Sequence, residues 1–257
     1  MIDIHSHILP GLDDGAQTWD EAIAMARAAE ADGISTVIAT PHGIEWGSGC
    51  TLAEAEERVA ELQKRLAASG VSVTILPGLE NYISPDLTDQ VVQGTAFALN
   101  HTSYFLVELP LQGFPLYTEE VLFQLQAKGL IPVLAHPERN SSLQENHELL
   151  AQLVGRGMLA QVTAASIVGG FGTRVRKAAE AFLRRNLVQV IASDAHSTGG
   201  GRSPILSEAV AAAAKLVGPI KAEAMVTTRP RAILAGEEVA IEPPLPAKER
   251  RRWAFWR

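Results

Sequence analysis

Seven short apolar runs recur along the chain, and longer stretches with helical periodicity lie between them. The opening segment, residues 1–10, is the first run; the others are residues 34–39, 71–76, 104–107, 131–135, 159–162 and 188–192. Strand, helix and strand over roughly thirty residues make a βαβ unit, which builds a parallel sheet covered by helices. A run such as 188–192 suits a strand buried on both faces. Helix starts carry their own marks: Thr18 with Glu21 and Thr51 with Glu54 fit the capping box, ahead of Ala- and Leu-rich stretches. Gly33 and Gly70 stand where those helices close. The pattern predicts an α/β fold, a seven-stranded parallel (βα) barrel of the TIM type. At 257 residues with 47% hydrophobic content, the chain can bury the core of one large domain.

The run ends carry chemistry. His5 and His7 alternate in the first strand, so both can face one ion, while Ile2, Ile4 and Ile8 point into apolar packing. Asp13 and Asp14 follow with harder oxygen donors. The next runs lead to Thr40-Pro41-His42, to Glu80 and to Glu108, and the later ones to His136-Pro137-Glu138-Arg139-Asn140 and Ser193-Asp194-Ala195-His196. A single His-x-His is weak evidence of a metal. A helix cap or a solvated charge explains any one of these positions, but not their recurrence in one register. In a parallel barrel the C-terminal strand ends share one mouth, so the recurrence predicts a multi-metal site there.

In sequence order, these motifs resemble those of the polymerase and histidinol phosphatase (PHP) superfamily. The stretch Asp3-Ile4-His5-Ser6-His7-Ile8-Leu9-Pro10-Gly11-Leu12-Asp13-Asp14-Gly15 is similar to the manganese-dependent protein-tyrosine phosphatases encoded with bacterial capsule and exopolysaccharide genes. The likeness runs from Met1 to about Pro230. It implies a distorted barrel with three clustered divalent cations, manganese first among manganese, iron, zinc and cobalt. His5, His7, Glu80 and Asp194 would hold the first ion. Glu80, as a bridge, with Glu108 and His136 would hold the second, and Asp14, His42 and His196 the third. Arg139, and Arg202 in the loop Thr198-Gly199-Gly200-Gly201-Arg202, resemble the family's phosphate-binding arginines, and a guanidinium fork matches phosphate geometry. The implied reaction is phosphomonoester hydrolysis by a metal-activated hydroxide, without a covalent enzyme intermediate. A phenolate leaves with little acid assistance, its free pKa being near 10; His42 or a metal-bound water could supply what is needed.

Cysteine usage excludes a rival chemistry. A cysteine phosphatase needs a thiolate with an arginine six residues on, yet the single cysteine, Cys50, has Glu56 at that spacing. One cysteine, with no signal peptide or long apolar span, points to the cytoplasm. Gly43 stands where relatives carry a second His or a basic residue, and residues 163–166 match the family poorly, so they receive no role. His101 and His147 fit no metal motif.

The net charge of −7 argues against general nucleic-acid binding. Residues 247–257 depart from it, with five basic side chains, one acid and two of the four tryptophans; their +4 leaves −11 for the rest. This basic-aromatic tail follows the stiff break Pro243-Pro244-Leu245-Pro246, so the expected division is a phosphatase barrel over residues 1–240 and a linker with tail over 241–257. Basic residues beside Trp and Phe suit an anionic membrane surface, as would befit an enzyme acting on a membrane-bound polysaccharide-assembly tyrosine kinase. The alternatives are a small-molecule phosphatase of the histidinol-phosphate type, a metal-binding regulator without turnover, and a membrane-recruited scaffold.

Overall fold

The computed structural model describes residues 1–44 and 50–246. Eight strands are present among them: β1 (Ile2–Ser6), β2 (Thr36–Ala39), β3 (Thr74–Pro77), β4 (Asn81–Tyr82), β5 (Tyr104–Glu108), β6 (Ile131–Ala135), β7 (Leu159–Thr163) and β8 (Val190–Ala192). All pairings are parallel, in the order β1-β2-β3 in one sheet and β4-β5-β6-β7-β8 in the other. Each of the seven runs overlaps one of these strands; the eighth is β4, two residues long. Residues 78–80 separate it from β3, beginning at Gly78. A Cβ there would lie 2.7 Å from Ile38 Cγ2 and 2.9 Å from Leu99 Cδ2, so only glycine lets the chain pass so close.

Main-chain hydrogen bonds join the two sheets at both seams. On one side Asp194 N donates to His5 O (2.9 Å) and His7 N to Ala195 O (2.8 Å); on the other Glu80 N donates to Pro41 O (3.1 Å). Ile2, Ile4, Ile38, Tyr104, Leu106, Val133, Ala135, Leu159, Val190 and Ala192 form an interior cluster, while Val37, Phe105, Val107, Leu134, Val162 and Ile191 alternate with them and pack in the larger core under the helices. Helix α11 (Thr228–Ala235) and the segment after it close the strand N-termini: Tyr104 donates its hydroxyl to Glu237 O (2.6 Å), and Ile233 and Val239 join the interior cluster.

Helix α2 (Leu52–Ala68) starts with the full capping box of Thr51 and Glu54. Helix α1 (Trp19–Ala31) has half of one: Thr18 accepts from Glu21 N, but the Glu21 carboxylate takes Gln17 N (2.6 Å) instead of the cap's own amide. Gly33 and Gly70, at φ +85° and +69°, follow these helices as expected. The remaining helices are α3 (Leu87–Gln93), α4 (Thr118–Ala127), α5 (Ser141–Glu145), α6 (His147–Gly155), α7 (Ala164–Val168), α8 (Gly172–Arg184), α9 (Ser207–Val217) and α10 (Pro219–Ala224). Residues 241–246 lie along the body: Arg185 Nε donates to Leu245 O (2.9 Å), Asn186 Nδ2 to Pro243 O (3.1 Å), and Lys221 pairs with Glu242 (2.7 Å). The basic-aromatic tail, 247–257, lies outside the described residues. Among those described, no helix is long and apolar enough to cross a membrane.

One glycine sets the loop after β1. A Cβ on Gly15 would sit 2.0 Å from His7 O and 2.5 Å from His7 Cβ, where Ala16 N now donates to His7 O (3.0 Å). Gly15→Ala must open this loop and is expected to cost about 1–3 kcal/mol, as overpacking against fixed backbone does. A urea midpoint equal to wild type would contradict this close packing.

Candidate metal centre

The strand ends bring the predicted residues together at one mouth. In β1 the register slips between Asp3 and Ser6, placing one extra residue opposite β2. Such a bulge re-aims the strand, and His5 and His7 reach the centre although Ile2 and Ile4, of opposite parity, line the interior below it. At β6 and β8 the backbone turns sharply: His136 and Asp194 hold φ of +32° and +52°. Non-glycine residues rarely adopt this region, and such strain collects at functional sites.

Glu80 stands at the middle. Its Oε2 lies 3.3 Å from His5 Nε2 and 3.2 Å from both His7 Nε2 and His42 Nδ1, and its Oε1 lies 2.9 Å from His136 Nε2. Glu108 flanks it, 3.8 Å from His136 and 4.0 Å from His42. Asp14 approaches His196 Nε2 (3.1 Å) and His42 Nε2 (3.6 Å). Asp194 Oδ1 is 3.6 Å from His5, His7 and His196. Both arginines meet on this last carboxylate, Arg139 Nη1 at Oδ2 and Arg202 Nη2 at Oδ1, each 2.9 Å away. The nine residues assigned to metal and the two arginines assigned to phosphate are therefore in one cluster. His101 instead pairs with Glu56 (3.2 Å) at the surface, and His147 packs edge-on against Phe182.

Supporting partners orient these rings. Gln161, mid-β7, accepts from His5 Nδ1 (3.0 Å), and Asp13 sits 2.7 Å from His7 Nδ1 while accepting from Gly15 N and His42 N. With Nδ1 engaged, Nε2 of each ring is the nitrogen presented to the centre. Asp3 accepts from Ser193 N (3.0 Å) and fastens β1 to the turn bearing Asp194. Glu138, fully buried, accepts from Thr163 N (3.0 Å) and Ser166 Oγ (2.6 Å), which ties the 137–139 turn to α7. In the sequence these partners carry no supporting role: Asp13 stands only as a nearby donor, Glu138 and Ser193 only within motifs, and the signal for Gln161 is a polar residue inside the apolar run 159–162.

Charge is crowded here and the pKa values diverge. Burial opposes ionisation of Glu80, but the charge of His5 and the hydrogen bond from His136 overcome it and hold its carboxyl well below the usual range. Burial, then the charge of Glu80, pushes Glu108 up to about 7. Burial takes His42 down to about 4. For His7 burial works the same way, yet Asp13 and then Glu80 prevail and raise it to about 10. Asp14 is lowered, chiefly by its hydrogen bond with His196. Buried Glu80 Oε2, although 3.2–3.3 Å from three imidazole nitrogens, makes no well-aligned hydrogen bond with them. Imidazole and carboxylate atoms of His7, Asp14, His42 and His196, of His5, His7 and Glu80, and of His42, Glu80 and Glu108 each lie within 4.8 Å of one another. Such mixed nitrogen and oxygen sets fit transition-metal dications, and shared carboxylates offset repulsion between neighbouring ions. Cys50 is buried and its thiol is pushed up to about 12, first by burial, so it offers no thiolate.

A parallel β/α barrel with histidine and carboxylate groups able to hold metal at its C-terminal mouth defines the class, a barrel with a candidate metal centre. A lactonase from Listeria monocytogenes shares this fold at a TM-score of 0.54 and 12% identity, over 93% of this chain and 92% of that one. Residues 1–235 match the family model of capsular polysaccharide synthesis, CpsB/CapC, and the chain belongs to that family. It is 37% identical to the tyrosine-protein phosphatase YwqE of Bacillus subtilis over the full length of both, and 30% identical to the tyrosine-protein phosphatase CpsB of Streptococcus pneumoniae over 91% of this chain and 98% of that one. A crystal structure from work on YwqE and CpsB, described as unique metal-dependent tyrosine phosphatases, superposes with a TM-score of 0.90 at 36% identity, covering 96% of this chain and all of that one.

Proposed function

We propose that this chain is a metal-dependent protein-tyrosine phosphatase of capsule or exopolysaccharide assembly, acting on phosphotyrosine in a membrane-bound assembly kinase. The observation that carries this reading is the convergence of nine histidine and carboxylate side chains and two guanidinium groups at one barrel mouth, in a chain whose relatives bear the tyrosine-phosphatase name. Three divalent ions, manganese first among candidates, would be held by His5, His7, Glu80 and Asp194, by Glu80, Glu108 and His136, and by Asp14, His42 and His196. Counting β3 and β4 as one interrupted stave gives the distorted seven-stave barrel of the family.

When bound, the cations would lower the pKa of a water and offset phosphoryl charge. The side chains supply the rest. Arg139 and Arg202, already aimed at one carboxylate, can turn their forks to phosphoryl oxygens and hold the ester in line. His42, unprotonated at neutral pH, suits the ligand role better than that of an acid, and a departing phenolate needs little protonation. The rim of the mouth is open to solvent, the Asp14 and Arg202 side chains being 43% and 27% exposed. An open rim admits a phosphate carried on a protein surface, which favours a protein substrate over an enclosed small molecule. Residues 1–240 would form the phosphatase unit and 241–257 its extension, with the basic-aromatic tail as a peripheral membrane contact at the cytoplasmic face.

Parallel hydrolysis of a phosphotyrosyl peptide and histidinol phosphate, with manganese and after chelation, tests the proposal. Faster, chelator-sensitive turnover of the peptide, lowered about a hundredfold in Arg139→Ala, is expected; preference for histidinol phosphate would transfer the substrate to the small-molecule class. Gln161→Leu keeps the side-chain volume but removes the acceptor of His5 Nδ1. It is expected to weaken metal binding about 10–100-fold in calorimetric titration of the metal-free protein, and unchanged affinity would remove Gln161 from the supporting role.

A further inference from the structure

We infer that Phe171 selects aryl phosphates, its ring packing against the phosphotyrosyl ring while Arg139 takes the phosphate. The inference rests on the phosphatase reading above and names the residue that sets its substrate preference.

Phe171 lies in the turn Gly169-Gly170-Phe171-Gly172 between α7 and α8. The Arg139 guanidinium stacks over its ring, 4.8 Å from the centroid, and the same guanidinium donates to Asp194 in the metal centre. The ring is half-buried and belongs to neither core cluster, whereas Phe114 and Tyr117, on the segment after Glu108, pack on the main core. This large aromatic lies outside both core clusters and instead carries the guanidinium of a metal-centre arginine on its face.

The turn holds the ring firmly. Gly169 and Gly172 adopt φ of +95° and +87°, Gly170 N donates to Ala165 O (2.7 Å), and Gly172 N to Gly169 O (3.0 Å). The turn also abuts the loop bearing Arg202, since a Cβ on Gly201 would lie 3.8 Å from Gly170 O. Phe171 is thus presented between the segments that carry both arginines.

Substrate chemistry completes the case. In an aryl phosphate the ring begins one ester oxygen from phosphorus. An arginine that binds the phosphate and stacks on Phe171 brings that residue to the position next along the substrate. Two aromatic rings so placed gain from offset or edge-to-face packing, whereas a phosphoserine offers no ring there.

The test uses the full chain with manganese and the variant Phe171→Leu, which keeps apolar bulk against Arg139 but removes the ring. The rates are kcat/KM on one peptide carrying phosphotyrosine or phosphoserine, with competitive binding of benzylphosphonate and butylphosphonate beside them. The inference expects about a tenfold loss, the upper range for an aromatic pair, on phosphotyrosine and benzylphosphonate. Phosphoserine and butylphosphonate should stay within about twofold, and Phe171→Trp should restore the aryl preference. Equal losses on aryl and alkyl ligands would mean that Phe171 merely supports Arg139, and no loss would mean that the ring is not read; either overturns the inference. A wild type inactive on the phosphotyrosyl peptide would instead refute the phosphatase reading, and the phosphonate pair would still decide whether Phe171 recognises a ring.

Discussion

Replacing Glu80 with Gln is expected to lower metal-dependent turnover by about a thousandfold while leaving the fold intact. Among the described residues, Glu80 is the side chain within 3.3 Å of His5, His7, His42 and His136 at once, Oε2 facing the first three and Oε1 the last. Gln keeps its shape, so packing survives. It replaces a carboxylate by an amide whose NH2 group would face imidazole nitrogens, removing negative charge from the middle of the donor set. Kinetics on a phosphotyrosyl peptide, metal content by emission spectroscopy and circular dichroism check this together. A folded variant within about tenfold of wild type would displace Glu80 from the centre.

Removing metal is expected to lower Tm by about 10 °C or more. An ion present at a thousand times its Kd stabilises by about 4 kcal/mol, and for a chain of this size each kcal/mol moves Tm by roughly 2–4 °C. The effect carries a pH signature through His7. Burial opposes its charging, but Asp13 and Glu80 raise its pKa from 6.5 to about 10 in the metal-free protein. A raised pKa contributes stability that is fully present below 6.5 and lost as pH rises through 10. Cation binding takes the unprotonated ring and releases that proton. The metal-free form therefore weakens over this window, and the gap between loaded and chelated protein should widen from pH 6.5 upward. Melting curves at pH 6.5 and 8.5 measure it; a gap that narrows with pH would contradict the assignment of His7.

The centre was legible because its residues occupy strand ends, and parallel topology turns that sequence register into spatial convergence. His5, His42, Glu108, His136 and Asp194 needed only the strand pattern to be placed on one rim. What stayed hidden has no periodic signature. The bulge in β1 depends on its pairing with β2, so the sequence does not reveal how His5 comes to follow Ile4 inward. The break that begins at Gly78 lies where Ile38 and Leu99, remote in sequence, approach the chain, and beyond it β4 joins the seven expected strands. Glu21 abandons half of its capping box for Gln17, a competition between two equally local amides. Phe171 sits in a glycine-rich turn that reads as an ordinary loop until Arg139 is seen above it.

The most direct test of the central claim is to titrate metal-free protein with manganese while following both bound metal and phosphotyrosyl-peptide hydrolysis. Turnover should be absent at the start, rise in step with metal uptake toward about three ions per chain, and vanish again on chelation. Full turnover by the metal-free protein, or metal uptake that leaves the rate unchanged, would contradict it.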